Sequence, residues 1–251
     1  MTTHRTPEDI AAWLFDMDGV LTDTARLHAA AWKTLFDDVL RDAADASGDE
    51  FVPFDPRADY ERYVDGRPRL EGIRTFLAAR GVQAPGDGTE EERVLAMGER
   101  KNALLQDAID TVGVTVYPDA VEALRRLRAA GRPTALVSSS ANAERLLAAS
   151  STRDLFDAVV SGADLGPRGL RGKPAPDSFV AAAADLGVEP GDAAVVEDAV
   201  SGIAAGREGG FGLVVGVNRH AADHAATLSA AGADVVVQRL TDLDLPTGTA
   251  S

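Results

Sequence analysis

The distribution of apolar and polar positions along the chain shows six short apolar runs, each about five or six residues long. Continuous apolar runs of this length are typical of strands that are buried on both faces of a parallel sheet. The six predicted strands are Ala11–Phe15, Thr134–Ser138, Asp157–Gly162, Ala193–Glu197, Gly212–Val217 and Ala233–Gln238.

Between the later runs lie stretches rich in alanine and leucine, whose apolar residues recur at helical spacing. Three helices are predicted there, at Ala120–Gly131, at Pro176–Gly187 and at the more glycine-rich Ala199–Gly210. The first closes on a glycine and the second opens with Pro and Asp, which are common signals of helix ends. Alternating strands and helices predict an α/β fold, with a parallel sheet covered by helices on both faces.

The segment from Leu27 to Ala108 departs from this alternation. It contains no convincing buried strand, and helical spacing dominates LHAAAWKTLFDDVLRDAA, LEGIRTFLAARG and EERVLAMGERKNALLQDAI. Because it follows the first strand, residues 27–108 are predicted to form a helical cap domain, inserted into a discontinuous core of residues 1–26 and 109–251. Ligands of open α/β sheets bind beyond the carboxyl ends of the strands, so the insertion is expected to act as a lid.

Composition narrows the classes of partner. The 251 residues carry a formal net charge of −15, which disfavours nucleic acid and anionic membrane surfaces as partners. Cysteine is absent, which excludes disulfides, zinc–thiolate sites and thiol catalysis. The apolar runs are too short to span a bilayer, and the N-terminus MTTHRTPEDI lacks the apolar core of a secretory signal. A soluble cytoplasmic protein is expected, as a monomer with oligomers left open.

Chemically useful side chains gather at the carboxyl ends of the predicted strands. The first strand leads into FDMDGVLTDT, the second into VSSSAN and the fourth into VVEDA, and GKPAPD follows the third. In a parallel sheet these groups would converge on one crevice. They are Asp16 and Asp18, then Ser138, Ser139 and Ser140, then Lys173, and finally Glu197 and Asp198.

Each motif by itself also has an ordinary structural explanation. Asp-Gly is a turn signal, serines cap helices, acidic pairs favour helix N-termini, and a loop lysine is usually solvated. Together the motifs indicate that either solvent separates the carboxylates or a cation holds them together, because two carboxylates about 5 Å apart repel by roughly 3 kcal/mol at an effective dielectric constant of about 20. Oxygen ligands without histidine or cysteine suit Mg²⁺, which shares phosphate oxygens. With hydroxyls and a lysine for the remaining phosphate charge, the set favours a phosphoryl-transfer site.

The motifs DMDGVLTDT, VSSSAN, GKPAPD and VVEDA, in this order and spacing, resemble those of the haloacid dehalogenase superfamily. Within it, TDTARLHAAAWK and the cap-loop sequence VDGRPRLEGIR resemble the β-phosphoglucomutase-like subgroup, and RKN at residues 100–102 is similar as well. The resemblance implies a doubly wound, Rossmann-like parallel sheet with an inserted α-helical cap. It also implies Mg²⁺ as the cofactor and a small phosphorylated sugar as the substrate.

The same resemblance implies roles for the acidic residues. Asp16 would be the nucleophile that forms an aspartyl phosphate. Asp18 would be the general acid/base, with a pKa that cap closure and desolvation should raise. The Mg²⁺ ligands would be the Asp16 side chain, the Asp18 backbone carbonyl and Asp198, with Glu197 supporting through water.

It further implies residues that bind the substrate. Ser138, the Ser139 backbone amide and Lys173 would hold the transferring phosphate. Thr24 and His28, at the hinge into the cap, would orient Asp18. The remaining candidates for contacts with the substrate or the cap are Arg69, Lys101, Ser140 and Asn142.

Two positions depart from the subgroup's pattern. Asp65 stands where the cap loop usually has a lysine, which leaves open whether Arg67 compensates, and Ala141 stands where the core often has a lysine. Both positions handle the far end of the substrate rather than the chemistry. The expected reaction class therefore stands, while the identity of the sugar is less defined.

Three functional hypotheses follow. The first is an isomerase that interconverts β-glucose 1-phosphate and glucose 6-phosphate through a bisphosphate. The alternative is a phosphatase that hydrolyses small sugar phosphates through the same phosphoenzyme. The third, disfavoured, is a receiver-like or phosphosugar-binding module without catalysis, because receivers place the acceptor Asp after a middle strand and need no cap.

Overall fold

The computed structural model describes residues 5–65, 67–219 and 222–247. In this part of the chain one parallel sheet of six strands has the order β3-β2-β1-β4-β5-β6. Each strand lies within one of the predicted apolar runs, which confirms the α/β fold. The strands are β1 (Ala12–Phe15), β2 (Thr134–Val137), β3 (Ala158–Val160), β4 (Ala193–Glu197), β5 (Leu213–Val217) and β6 (Val235–Val237).

Helices cover the sheet and build the inserted segment. The three predicted helices correspond to α4, α7 and α8 below, with ends that differ by about two residues. Shorter helical turns lie at Pro7–Asp9, Tyr60–Val64, Arg153–Leu155, Pro190–Asp192 and Leu240–Asp242. The α-helices of the described residues are α1 (Ala25–Ser47), α2 (Arg69–Arg80), α3 (Glu90–Val112), α4 (Pro118–Ala129), α5 (Ala143–Ala149), α6 (Leu165–Arg168), α7 (Asp177–Asp185), α8 (Val200–Glu208) and α9 (Ala222–Ala231).

The register of the sheet brings the strand ends together. Leu14 of the central strand β1 lies opposite Ala135 of β2 and Val195 of β4. Every residue of β1, β2, β4 and β5 is buried, which explains their uninterrupted apolar sequences. Because all the strands are parallel, the residues that follow them lie at the same edge of the sheet.

Contacts between residues divide the chain into two compact units, residues 1–23 with 114–251 and residues 24–113. These bounds lie a few residues from the predicted boundaries at 26/27 and 108/109. In the second unit, the described residues form no strand, and an aromatic cluster of Trp32, Phe36, Phe54 and Phe76 is buried. That this unit acts as a cap domain stays a prediction.

The first unit contains the two stretches of chain that lead into and out of residues 24–113. They lie side by side, since Thr22 and Val116 form an antiparallel bridge. The amide of Asp23 donates a hydrogen bond to the carbonyl of Thr115 at 2.9 Å. Residues 22–23 and 115–116 thus form a short two-stranded ribbon that follows β1.

Among the described residues, no helix combines the length and the apolar character needed to cross a membrane. Residues 1–4 of the N-terminal sequence considered above and Gly66 of the expected cap loop lie outside the described residues.

Candidate active site

Asp16 is the first residue after β1 and sits at the centre of the site. Its amide donates to the carbonyl of Val196 at 2.9 Å, which continues the pairing of β1 with β4 by one residue. The side chain is buried. The backbone of Asp16 is thus held at the sheet edge by its bond to β4.

Lys173, from the loop that precedes α7, lies beside this carboxylate. Its Nζ donates to Asp16 Oδ1 at 2.5 Å, to Glu197 Oε1 at 2.7 Å and to the carbonyl of Val137 at 3.1 Å. The ammonium also lies 4.7 Å from the centre of the Phe179 ring. An ammonium has three donors, so these three acceptors satisfy it completely.

The electrostatics of this pair follow from burial. Burial raises the pKa of Asp16 well above its ordinary value, and the Lys173 ammonium opposes that rise. Burial alone would lower the pKa of Lys173, but the carboxylates of Asp16 and Glu197 outweigh it and hold the pKa above its ordinary value. One ammonium therefore faces more carboxylate charge than it can neutralise.

A third carboxylate completes the group. Oxygens of Asp16, Glu197 and Asp198 lie within 4.8 Å of one another. Glu197 is oriented from both sides, because its Oε1 accepts from Lys173 and its Oε2 accepts from the amide of Ala199 at 2.8 Å. Such an all-oxygen set suits a hard divalent cation.

Two glycines make room for these carboxylates. Gly19 has a φ of +80°, and a Cβ there would overlap the carboxylate of Asp198. A Cβ on Gly202, at the start of α8, would overlap the carboxylate of Glu197. The backbone thus packs directly on both acidic side chains, and this close approach fits a compact cation site.

Asp18 lies in the tight turn between Asp16 and the ribbon. The amide of Gly19 donates to the carbonyl of Thr22 at 2.8 Å, and the amide of Thr22 donates to the carbonyl of Met17 at 2.9 Å. Asp18 is half-buried, and its charge contributes to the raised pKa of Asp16, so the two carboxylates are near neighbours. Its expected roles as acid/base and as a backbone ligand stay predictions.

The serine motif forms a compact turn after β2. Ser138 Oγ accepts from the amide of Ser140 at 3.1 Å, and Ser140 Oγ accepts from the amide of Asn142 at 3.2 Å. The N-cap of α5 is Asn142 and not Ser140, so the helix-cap explanation of Ser140 is wrong. A Cβ on Gly162 would overlap the carbonyl of Ser139, which shows how closely the next strand's loop approaches this turn.

The expected substrate residues of the unit 24–113 form groups of their own. Thr24 is buried and its carbonyl accepts from the amide of His28 at 2.9 Å. Nζ of the buried Lys101 lies 3.1 Å from His28 Nδ1 and 4.9 Å from the centre of the Trp32 ring. Lys101 lies 73 positions from His28 in the sequence, and the helices α1 and α3 bring these two residues together.

Arg69 begins α2 and is half-buried. Burial lowers its pKa, against the opposing effect of Glu99, and its Nε has no hydrogen-bond partner among the described residues. Arg67 Nη1 pairs with Glu71 Oε1 at 2.9 Å, so Arg67 is already engaged in an ion pair.

Sequence reasoning did not identify Arg219, which follows β5. Its guanidinium pairs with the buried Asp119 and donates to the carbonyls of Gly19 and Val20. These partners lie 100 to 200 positions away in the chain, so no local pattern could have indicated them.

Comparison with known proteins agrees with this geometry. A family model described as haloacid dehalogenase-like hydrolase matches residues 10–210. A β-phosphoglucomutase of Mycobacterium bovis is 47% identical, over 94% of this chain and 92% of that protein. A β-phosphoglucomutase of Bacillus subtilis is 32% identical, over 93% and 92% respectively. A crystal structure of β-phosphoglucomutase from Clostridium difficile superposes with a TM-score of 0.74 at 26% identity, covering 94% of this chain and 93% of that one. The resemblance noted in the four motifs is confirmed, and the chain belongs to the haloacid dehalogenase-like hydrolase family.

Proposed function

We propose that this protein is a Mg²⁺-dependent phosphomutase that interconverts β-glucose 1-phosphate and glucose 6-phosphate through a bisphosphate. The observation that carries the reaction class is the buried Asp16 carboxylate, held by Lys173 beside Glu197 and Asp198. The similarity to two β-phosphoglucomutases over more than nine-tenths of the chain supports the choice of sugar. The enzyme acts in the cytoplasm, where charged sugar phosphates are retained.

The chain's own residues support a cation site. The Asp16 side chain, the Asp18 backbone carbonyl and Asp198 would hold Mg²⁺, with Glu197 in support. When bound, the ion neutralises the charge that develops on the phosphoryl oxygens.

Asp16 and Asp18 divide the chemistry between them. An oxygen of Asp16 attacks the phosphorus atom, the bond from phosphorus to the sugar oxygen breaks, and Asp18 gives its proton to that oxygen. In the mutase cycle this step takes the 1-phosphoryl group of the bisphosphate and releases glucose 6-phosphate. In the second half-reaction Asp18 takes the proton from the 6-hydroxyl of β-glucose 1-phosphate, which accepts the phosphoryl group from Asp16, so that the bisphosphate forms again. The net result is transfer between two positions of the sugar.

Lys173 acts chiefly on Asp16. Its three donors are engaged by Asp16, Glu197 and the carbonyl of Val137, so it orients and neutralises the nucleophile. A direct contact from Lys173 to the phosphate requires that one of these acceptors be released. Ser138 and the Ser139 amide are the first candidates to hold the phosphate.

The second unit supplies the contacts that decide which sugar binds. Arg69 is a suitable partner for the distal phosphate, because its guanidinium is half-buried and its Nε is not engaged within the described residues. Thr24 and His28 stay the candidates for orienting Asp18, and Lys101, Ser140 and Asn142 stay candidates for contacts with the substrate.

The same phosphoenzyme could be hydrolysed, which makes a sugar-phosphate phosphatase the alternative function. The family description supports this candidate, since the matching model is that of a hydrolase. The two activities differ in the acceptor, which is a sugar hydroxyl in the mutase and water in the phosphatase.

The test follows both products by phosphorus NMR. The enzyme is mixed with β-glucose 1-phosphate, Mg²⁺ and trace glucose 1,6-bisphosphate, and Asp16→Asn serves as the inactive control. We expect glucose 6-phosphate to accumulate, with little inorganic phosphate. Inorganic phosphate without glucose 6-phosphate would establish the phosphatase, and unchanged turnover by Asp16→Asn would exclude Asp16 as the nucleophile. No turnover of any phosphate ester by the wild type would favour a binding module.

A further inference from the structure

Arg219 is buried behind the loop that carries the two reacting aspartates. Its side chain and that of Asp119 are each 8% exposed. We propose that Arg219 is a positioning residue for the loop from Asp16 to Val20, an inference that rests on the proposed phosphoryl transfer. It touches no reacting atom and acts through the backbone.

The guanidinium grips two successive carbonyls of this loop. Nε donates to the carbonyl of Gly19 at 3.3 Å, and Nη2 donates to the carbonyl of Val20 at 3.3 Å. Gly19 directly follows Asp18, and its α-carbon packs on the Asp198 carboxylate. A shift of Gly19 therefore moves the acid/base on one side and a proposed cation ligand on the other.

The opposite edge of the guanidinium is anchored to fixed parts of the first unit. Nη1 donates to Asp119 Oδ2 at 2.9 Å and to the carbonyl of Gln238 at 3.0 Å. Asp119 Oδ2 also accepts from the amide of Leu240 at 2.7 Å. The planar guanidinium of Arg219 thereby connects three parts of the first unit, namely the start of α4, the segment after β6 and the catalytic loop.

The ring of Tyr117 packs against one face of the Arg219 guanidinium. The guanidinium carbon lies 4.1 Å from the centre of its ring. The Tyr117 hydroxyl is hydrogen-bonded to Asp23, and burial, reinforced by Asp23, raises its pKa to about 12. The ring thus stays neutral at working pH and ties Arg219 to the ribbon that leaves the loop.

Arginine is required by this geometry. Its planar fork reaches Gly19, Val20 and Asp119 at the same time, which the single point charge of a lysine cannot do. Loss of the fork would free the loop by a fraction of an ångström or more, and misplacement on that scale is enough to lower catalytic rates strongly.

The chain offers a control in Arg207, whose side chain is 45% exposed, whereas that of Arg219 is 8% exposed. Arg207 Nη1 pairs with Asp234 Oδ1 at 2.8 Å, and Asp234 Oδ2 accepts from the amide of Val214 at 2.8 Å. This pair also joins separate elements of the first unit through an aspartate that caps a backbone amide. It does not contact the catalytic loop, so Arg207→Met reports the effect of losing a structural pair alone.

The test compares Arg219→Met, Arg219→Lys and Arg207→Met with the wild type. Mg²⁺ affinity is measured by calorimetry without substrate, and kcat and KM are measured for phosphoryl transfer. For Arg219→Met we expect about tenfold weaker Mg²⁺ binding and a kcat that falls about ten- to a hundredfold, with KM within about twofold. Arg219→Lys should lie between, and Arg207→Met should match the wild type in both readouts.

The outcomes separate this inference from the proposed function. If the wild type binds Mg²⁺ and transfers phosphoryl groups while Arg219→Met matches Arg207→Met, Arg219 is structural and the inference is overturned. If the wild type does neither, the proposed function itself fails. Should Arg219→Met not fold, Arg219→Lys decides, since wild-type Mg²⁺ affinity and kcat in that variant would contradict the requirement for a fork.

Discussion

Gly19 shows how much of the site depends on a residue without a side chain. Its φ of +80° lies in the left-handed region, and its α-carbon faces the Asp198 carboxylate with no space between them. Two separate physical demands, a backbone conformation and a close approach, therefore meet at one position.

These demands can be separated by substitution. Gly131 has a φ of +67° and no heavy atom within 4 Å of an added Cβ, so Gly131→Ala measures the conformational cost alone, about 1 kcal/mol. We expect Gly19→Ala to lose that amount and, in addition, at least tenfold in Mg²⁺ affinity, because the methyl group displaces Asp198. Calorimetry of Mg²⁺ binding checks this, and equal Mg²⁺ affinities in the two variants would show that Asp198 is not a ligand.

At this scale the sequence predicts motif residues well and supporting residues poorly. Asp16, Lys173 and Glu197 were predictable, because Asp16 follows β1, Glu197 ends β4 and Lys173 lies in the connection from β3 to α7, and parallel strands end at one edge. Arg219 and Tyr117 were not, because their roles arise from contacts between loops that only the folded chain brings together. The sequence also allowed Ser140 as the cap of the next helix, whereas the cap falls on Asn142.

Among the elements, the helices of residues 24–113 pack through a cluster of aromatic rings together with aliphatic side chains such as Leu35 and Ile73. The Phe76 ring of α2 lies 4.0 Å from the Phe36 ring of α1 and 5.2 Å from the Phe54 ring, between ring centres. Phe76 is completely buried. Sequence spacing predicted helices here, but it could not show which apolar residues form the cluster.

Phe76→Ala should therefore act locally. Removing the ring leaves a cavity that costs about 3–5 kcal/mol. We expect faster hydrogen exchange of the amides of α1, α2 and α3, while the amides of β1 and β4 keep their protection. Val112→Ala in α3, where the side chain is 73% exposed, is the control and should change neither set. Equal loss of protection in the sheet would mean that the two units unfold together.

For the whole molecule, the net charge of −15 poses a problem for an enzyme that binds a phosphate ester. The charges at the site itself resolve this problem. Lys173 supplies one buried positive charge, and the excess negative charge of the carboxylates around it favours binding of a divalent cation. The protein is therefore expected to be most stable when that cation is bound.

Addition and removal of Mg²⁺ should change the thermal stability accordingly. At a concentration of about 100 times Kd, binding to the folded state adds about 2.7 kcal/mol, which raises Tm by roughly 5–10 °C for a chain of this size. Chelation should reverse the shift and abolish turnover. Calorimetric scans of Asp198→Asn should show no shift, whereas Asp234→Asn, which alters the pair with Arg207 and not the acidic cluster, should keep it. A full shift in Asp198→Asn would place the ion elsewhere.

The ribbon formed by Thr22 and Val116 has a consequence for the history of such proteins. It holds the two ends of residues 24–113 side by side. The six strands of the sheet all lie outside this segment, so the sheet does not depend on what is inserted there. The contacts of the ribbon offset the entropic cost of bringing the two ends of the inserted segment together. This cost grows only slowly with the length of the inserted segment. Residues 24–113 can therefore be replaced during evolution by a segment of another size or shape while the catalytic residues at the sheet edge stay the same. New substrate specificities then arise from a new inserted segment.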